Sequence, residues 1–253
     1  MDEDPRLFDV FLDVQRGLPR QGPGLDESTL EALALCRGLP ERPTVLDIGC
    51  GPGMQTLALA RALDGPTTAV DIHQEYLDIL KAHAVEAGVA GRIDIRLADM
   101  STLPFPPESF DLIWSEGATY IMGFATALAD WKRLLRPGGC IGVSELVWLR
   151  PDPPAEVAAF FAAEYPARSD VETNLRTLGA CGYTSLGHIV LPDEGWWRHY
   201  YMPLEAKLPK LREKYRGDDE ALAVIDMTAR EIDMRRRFAD WYGYAFFVGR
   251  KAP

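Results

Sequence analysis

An apolar strand pattern that runs directly into closely spaced glycines constrains this chain more than any other feature. Residues 45 to 48 are apolar except for Asp47. Three glycines follow at alternate positions, namely Gly49, Gly51 and Gly53. Glycines permit a tight turn and let a ligand approach bare backbone. A helix is predicted from Met54, and its free N–H groups and positive dipole end favour an anionic group. The segment therefore predicts a loop that binds a nucleotide-type cofactor.

The spacing of these glycines separates two cofactor classes. The dinucleotide fingerprint is G-x-G-x-x-G, whereas this loop is G-x-G-x-G with an acid, Asp47, two residues before it. The nicotinamide interpretation is therefore weakened. The stretch from Val45 to Gly53 resembles the first motif of class I S-adenosylmethionine-dependent methyltransferases. That resemblance implies that Asp47 and the glycines hold the methionine half of the cofactor, and a plain strand-to-helix connection is the alternative.

Length, charge and cysteine usage argue against several other classes of protein. The 253 residues, of which 47% are apolar and 26% charged, suffice for one large globular domain. A net charge of −11 argues against broad binding to nucleic acid, which usually requires a basic face. No residues have metal-ligand spacing, so we expect no metal. We also expect no signal peptide, no membrane span and a cytoplasmic location.

Strand and helix patterns alternate along the chain from residue 44 to residue 148. This alternation predicts an α/β fold, a Rossmann-like doubly wound sheet with helices on both faces and right-handed crossovers. For the remainder, the family resemblance implies one more helix and an antiparallel strand pair, supplied by residues 183–191 and 241–248. The expected sheet has seven strands and is mostly parallel, with one antiparallel strand.

Two acids follow the second and third predicted strands. Asp71 lies 71 − 49 = 22 residues after the first glycine, where such folds hydrogen-bond a ribose diol, and Ile72 follows it at the same predicted cofactor edge. Asp99 and Met100 close the third strand. There the family resemblance implies an acid that binds the adenine amino group and a neighbour whose backbone contacts the ring. The alternatives are a helix-capping or surface role for Asp71 and a turn-forming role for Asp99.

The segment around the fourth predicted strand strengthens the resemblance. Residues 103–114 combine a proline-rich turn with a Phe-Asp-Leu-Ile strand, which is similar to the small-molecule branch of class I methyltransferases. Ser115 and Glu116 follow at the carboxyl edge of this strand, where open α/β sheets place their ligand crevice. Family members that methylate planar nitrogens carry Asn-Pro-Pro-Tyr or Asp-Pro-Pro-Tyr here, and this chain does not. Nearly the whole chain resembles a bacterial group in the ubiquinone and menaquinone biosynthesis-like (type 11) branch.

Two residues are candidates for proton transfer. A sulfonium is already an activated methyl donor, so such an enzyme mainly aligns the nucleophile and excludes water. Where the acceptor is a hydroxyl, Glu116 or His199 could take its proton. Glu116 could instead orient the amine of the cofactor, and His199 could be a packed or surface histidine. The predicted function is S-adenosylmethionine-dependent methyl transfer to an unidentified small molecule. The alternative is a non-catalytic sensor of S-adenosylmethionine or a scaffold.

The predicted domain organisation has two parts. Residues 1–40 form N-terminal helices and a lid, and residues 41–253 form the methyltransferase domain with a helical insertion at about 193–238. A segment rich in Gly and Pro, residues 18–24, is interpreted as a lid hinge or a plain linker, and the next helix is expected to have Asp26 or Ser28 as its N-cap. The insertion is expected to shape the substrate pocket or to form a contact in a homodimer.

Overall fold

The structure is a computed structural model that describes residues 5–164 and 169–252. The elements in these ranges are, in chain order, α1 (Pro5–Gln15), α2 (Asp26–Leu33), β1 (Val45–Ile48), α3 (Met54–Ala62), β2 (Thr67–Asp71), α4 (Gln74–Glu86), β3 (Ile93–Leu97), β4 (Phe110–Glu116), α5 (Phe124–Trp131), β5 (Leu135–Trp148), α6 (Ala155–Glu164), β6 (Ser169–Asp170), α7 (Val171–Ala180), β7 (Tyr183–Val190), α8 (Glu194–Trp196), α9 (Met202–Lys214), α10 (Asp219–Phe238) and β8 (Tyr242–Lys251). None of the helices in these ranges has the length and apolar character needed to cross a bilayer.

The strands form one sheet in the order β3-β2-β1-β4-β5-β8-β7. β8 runs antiparallel to both of its neighbours, β5 and β7, whereas the pairs from β3 to β5 are parallel. The predicted doubly wound, mostly parallel sheet of seven strands is therefore confirmed. A short strand that was not predicted, β6, pairs with the end of β5. The order reverses between β1 and β4, and ligands bind at such a reversal in open α/β sheets.

Both faces of the sheet are buried, which explains the near-continuous apolar runs of its central strands. All four residues of β1 are buried. Because successive strand residues point to opposite faces, Val45 and Leu112 pack in one apolar cluster and Leu46 and Ile113 in another. The central strands are thus rigidly held, and the loops at their carboxyl ends have fixed starting points.

The N-terminal segment, defined here as residues 5–25, packs against the helices inserted before β8. The side-chain amine of Lys207 in α9 donates to the backbone carbonyls of Asp13, Val14 and Arg16 at the end of α1. The carboxylate of Asp13 in turn accepts hydrogen bonds from Lys214 and from the hydroxyl of Tyr215. The range predicted for the helical insertion contains α9 and α10, while its assignment as an insertion and a domain boundary at residue 40 stay predictions.

The expected N-cap of α2 is wrong. The helix begins at Asp26 with Leu25 in the capping position, and no side chain caps it. The carboxylate of Asp26 instead accepts a hydrogen bond from Arg20 at 3.1 Å, and Ser28 lies buried within the helix. A tertiary ion pair has replaced the local hydrogen bond that the sequence favoured.

Candidate functional site

A cavity of about 320 Å³ lies at the carboxyl ends of the central strands, beneath the N-terminal segment. This volume falls at the small end of the range, about 300–1,000 Å³, that is usual for small-molecule sites. Several residues predicted for the site line it, namely Gly49, Gly51, Asp71, Ile72, Asp99, Met100 and Glu116. The other predicted residues, Asp47, Gly53, Ser115 and His199, are not part of its lining. The structure thus gathers the strand ends that the sequence placed together.

Two of the three loop glycines, Gly49 and Gly53, have no room for a side chain. Gly49 has a φ of +70°, and a Cβ there would lie 2.7 Å from the Cβ of Ala118. Gly53 has a φ of +94° at the N-cap of α3, and a Cβ there would lie 2.2 Å from Leu80 Cδ1. Real Cβ atoms do not approach other atoms this closely, and L side chains rarely adopt these backbone angles. The loop therefore presents bare backbone to the cavity at Gly49 and Gly51.

Asp71 ties the end of β2 to the glycine loop. Its carboxylate accepts hydrogen bonds from the N–H of Gly51 and from the N–H of His73, each at 2.9 Å. Each carboxylate oxygen has two lone pairs, so each retains a position for a further donor. The next residue, Ile72, lines the cavity with an apolar side chain that is 62% exposed. A carboxylate and an exposed apolar surface are thus adjacent at this edge.

Asp99 lies at the same edge after β3. One carboxylate oxygen, Oδ1, accepts from both the backbone N–H and the hydroxyl of Ser101, at 2.8 and 2.7 Å. These hydrogen bonds lower the pKa of Asp99, the side-chain bond being the larger cause. The carbonyl of Met100 accepts from the indole N–H of Trp131 at 3.1 Å, which fixes the backbone beside Asp99. The Oδ2 atom of an ionised carboxylate stays available for a ligand.

Glu116 lies at the end of β4 with a side chain that is only 4% exposed. Its Oε2 accepts from Arg20 at 2.8 Å, and its Oε1 accepts from the hydroxyl of Thr29 at 2.6 Å and from the indole N–H of Trp114 at 2.8 Å. Three of about four lone-pair positions are therefore occupied. Arg20 lies in the N-terminal segment and Thr29 lies in α2, so the hydrogen bonds of Glu116 hold both of these parts of the chain against the sheet.

Two of the predicted cofactor residues lie behind the cavity. Asp47 is fully buried, and its Oδ2 accepts from the hydroxyl of Thr56 at 2.5 Å, which joins β1 to α3. Burial is the main cause that raises the pKa of Asp47 to about 7. Ser115 is also fully buried, and its hydroxyl has no hydrogen-bond partner. Any contact of these two residues with a cofactor stays a prediction.

His199 lies apart from the cavity lining, on a π-helical turn (Trp197–Tyr201) that connects α8 to α9. The side chain is half-buried. Burial lowers the pKa of His199, and the nearby guanidinium groups of Arg20 and Arg198 lower it further. A neutral imidazole is the form that can accept a proton, and its role as a base stays a prediction.

Sequence reasoning missed most of the residues that cover the cavity. The N-terminal segment contributes Phe11, Leu12, Gln15, Arg20 and Gln21 to the lining. The side-chain oxygen of Gln21 accepts from the hydroxyl of Tyr76 in α4 at 2.8 Å, so the segment is fastened on this side as well. The Gly and Pro content of residues 18–24 was the available signal, since it was interpreted as a lid hinge or a plain linker. It did not indicate which side chains would face inward.

Comparisons with known proteins agree with this geometry. Residues 45–139 match the family described as "Methyltransferase domain". The O-methyltransferase cnsE of Penicillium expansum is 30% identical over 140 residues, which cover 53% of this chain and 51% of that protein. The chain spans about half the length of curated relatives that it matches.

Solved structures match over a longer range. A SAM-dependent methyltransferase from Geobacter sulfurreducens, solved with S-adenosyl-L-homocysteine, is 25% identical with a TM-score of 0.80, and the match covers 98% of this chain and 99% of that one. The [4+2]-cyclase SpnF is 24% identical with a TM-score of 0.71, over 97% of this chain and 93% of that one. The latter likeness concerns the fold alone, and it shows that one fold can carry different chemistry.

Proposed function

We propose that this chain, whose residues 45–139 match the methyltransferase-domain family, is a class I S-adenosylmethionine-dependent enzyme that methylates a small molecule. The observation that carries the proposal is the meeting of Gly51, Asp71 and Asp99 at one edge of the cavity. Bare backbone, a ribose-binding acid and a second acid are the features that the sequence predicted for this cofactor. The related Geobacter sulfurreducens enzyme with S-adenosyl-L-homocysteine supports the same assignment.

The residues in the cavity fit this cofactor. The glycine loop would hold the amino-acid end, because a Cβ at Gly49 would collide with Ala118 and the space is kept free of side chains. Asp71 would bind the ribose hydroxyls through its remaining lone pairs, and Ile72 would pack against the adenine. Asp99 Oδ2 would accept from the adenine amino group beside the fixed backbone of Met100.

When bound, S-adenosylmethionine supplies a sulfonium methyl group, which the electron pair of a nucleophile takes as the carbon–sulfur bond breaks and S-adenosylhomocysteine forms. The contribution of the protein is to hold the nucleophile in place and to exclude water. The N-terminal segment covers the cavity and supplies this exclusion. Glu116 has one lone-pair position left, which suits the orientation of an amine better than removal of a proton.

The proposed acceptor is a small molecule, because the cavity is of small-molecule size and the N-terminal segment forms one of its walls. A cytoplasmic location, the absence of nucleic-acid and membrane partners, and a homodimer stay predictions. The second candidate is a protein that binds S-adenosylmethionine without catalysis. Hydrogen bonds from Lys207 and Tyr215 hold the N-terminal segment against the inserted helices. These contacts favour the second candidate, since such a segment could report ligand binding to a partner.

Calorimetry tests the cofactor assignment. We expect the protein to bind S-adenosylhomocysteine and not NAD, and Asp71→Ala to weaken that binding by about tenfold or more, because two hydrogen bonds worth roughly 1 kcal/mol each would be lost. Asp78→Ala is the matched control, since Asp78 bonds Gln74 on the exposed face of α4, away from the cavity. Equal affinity of wild type and Asp71→Ala would refute the ribose assignment.

Turnover separates the two candidate functions. Transfer of a labelled methyl group to any member of a panel of quinols, phenols, amines and carboxylates supports the enzyme. Tight binding of S-adenosylhomocysteine with no transfer to any of these compounds favours the sensor.

A further inference from the structure

Two residues of the cavity lining carry a buried side-chain atom without a hydrogen-bond partner among the described residues, Gln15 at Oε1 and Arg20 at Nε. Gln15, in the last turn of α1, lines the cavity and is only 6% exposed. Its side-chain oxygen, Oε1, forms no hydrogen bond. Burial raises the pKa of Tyr200, and the neighbouring side chain of Gln15 opposes that rise, so the Gln15 amide lies beside the Tyr200 hydroxyl. A buried carbonyl oxygen without a donor is costly, and such atoms in native proteins require an explanation.

The part of the cavity around Gln15 differs from the edge assigned to the cofactor. Phe11 and Leu12, about one turn before Gln15 in α1, line the cavity, as do Tyr120 and Ile121 from the turn after β4. Three of these four side chains are wholly apolar. The edge assigned to the cofactor, by contrast, carries the carboxylates of Asp71 and Asp99.

The charged groups at this end are already paired. Arg20 donates to the carboxylates of Glu116 and Asp26, and the side chains of Arg20 and Glu116 are 5% and 4% exposed. Their charges compensate each other, so neither demands a counter-ion from a ligand. An ionised ligand would have to lose its hydration next to apolar side chains without gaining an opposite charge.

We propose that Gln15 is the polar contact of the methyl-acceptor site and that the acceptor is an uncharged, mostly apolar small molecule that donates an O–H or N–H hydrogen bond to Gln15 Oε1. The inference rests on the proposed function, because it assigns the rest of the cavity to S-adenosylmethionine. The carbonyl of Gln15 orients the acceptor and takes no proton from it. The acceptor site is therefore specific for ligands that donate a hydrogen bond, because a site built to accept one rejects analogues that cannot donate.

Ligand-observed NMR with saturating S-adenosylhomocysteine tests this assignment on pairs of neutral fragments. Each pair contains a donor and a methylated analogue that cannot donate: phenol and anisole, indole and N-methylindole, cyclohexanol and its methyl ether. At least one donor should bind wild type about tenfold more tightly than its analogue, the equivalent of one hydrogen bond. Gln15→Leu should remove this preference and leave the affinity for S-adenosylhomocysteine unchanged.

Gln21→Leu is the matched control, because Gln21 also lines the cavity but its side-chain oxygen already accepts from Tyr76. The ratio of donor to analogue affinity should persist in this variant even if both affinities fall. The assignment is overturned by an unchanged ratio in Gln15→Leu, by a tenfold loss of S-adenosylhomocysteine affinity in that variant, by binding of benzoate or benzylamine in place of the neutral fragments, or by no fragment binding at all. Failure of wild type to bind S-adenosylhomocysteine would instead overturn the proposed function.

Discussion

The two walls of the cavity are built in different ways. The glycine-loop wall consists of residues 49–51, 71–72 and 99–100, which follow three neighbouring parallel strands and are held by backbone geometry. The N-terminal wall consists of residues 11–23 and is held by side chains from remote parts of the chain. Arg20, for example, pairs with Glu116, which lies 96 residues further along.

This difference suggests separate roles for the two walls, with ligand binding at the glycine-loop wall and closure of the cavity by the N-terminal wall. The glycine-loop wall is anchored in the centre of a sheet that is buried on both faces, so its shape is inseparable from the global fold. The N-terminal wall is held by ion pairs, hydrogen bonds and the burial of Val14 and Leu18 in the apolar core, and we expect it to open locally without unfolding the sheet. We therefore expect changes in the first wall to alter cofactor affinity, and loss of the ion pairs and hydrogen bonds that hold the second wall to alter stability and local opening.

The largest effect is expected at the buried ion pair. Arg20→Met should lower the free energy of unfolding by about 3–5 kcal/mol, because Glu116 would keep its charge in a buried site without a counter-ion. Urea denaturation measures this loss. Adding Glu116→Gln to Arg20→Met should recover part of it, since the unpaired charge is then removed.

An exposed ion pair provides the control for this prediction. Arg212 pairs with Asp226 on the inserted helices, and the two side chains are 44% and 65% exposed. Arg212→Met should cost less than about 1 kcal/mol, because surface pairs contribute little. Similar losses for Arg20→Met and Arg212→Met would mean that the Arg20 ion pair does not stabilise the N-terminal wall.

The second prediction concerns the glycine-loop wall. Gly49→Ala should weaken S-adenosylhomocysteine binding by about 100-fold or more, roughly 2.7 kcal/mol, because the loop must shift to relieve the contact with Ala118. Gly88 is a matched control, since its φ is also +70° but a Cβ there has no neighbour within 4 Å. Gly88→Ala should cost about 1–2 kcal/mol of stability from backbone strain and leave the affinity unchanged. Equal affinities for the two variants would contradict the steric argument.

The same contrast explains how far the sequence alone could predict the molecule. The glycine loop, Asp71 and Asp99 each follow a strand directly, so a local pattern was enough to place them at one edge. The sheet order likewise follows from alternating strands and helices. Asp47 and Ser115 lie within strands next to predicted residues that line the cavity, yet they are buried and lie outside its lining.

Contacts between side chains that are far apart in the sequence could not be predicted from local sequence patterns. Glu116 was correctly expected at the crevice, but its partners Arg20 and Thr29 were not, because one sequence does not reveal a pairing between distant residues. The predicted N-cap of α2 was wrong for a related reason, because the carboxylate of Asp26 accepts a hydrogen bond from Arg20. Gln15 was missed for a related reason: its burial depends on α9 and α10 packing over α1.

The smallest effect is expected where α9 holds the end of α1. Lys207→Met should cost about 1–2 kcal/mol, because the amine of Lys207 satisfies three carbonyls at the negative end of the helix dipole. Hydrogen exchange should accelerate at residues 13–20 and stay unchanged in β1 and β4, since the N-terminal wall opens without the sheet. Lys210→Met, on the exposed side of the same helix, should leave both quantities unaltered. Faster exchange throughout β1 and β4 in Lys207→Met would show that the two walls unfold as one unit, and the distinction between binding and closure would fail.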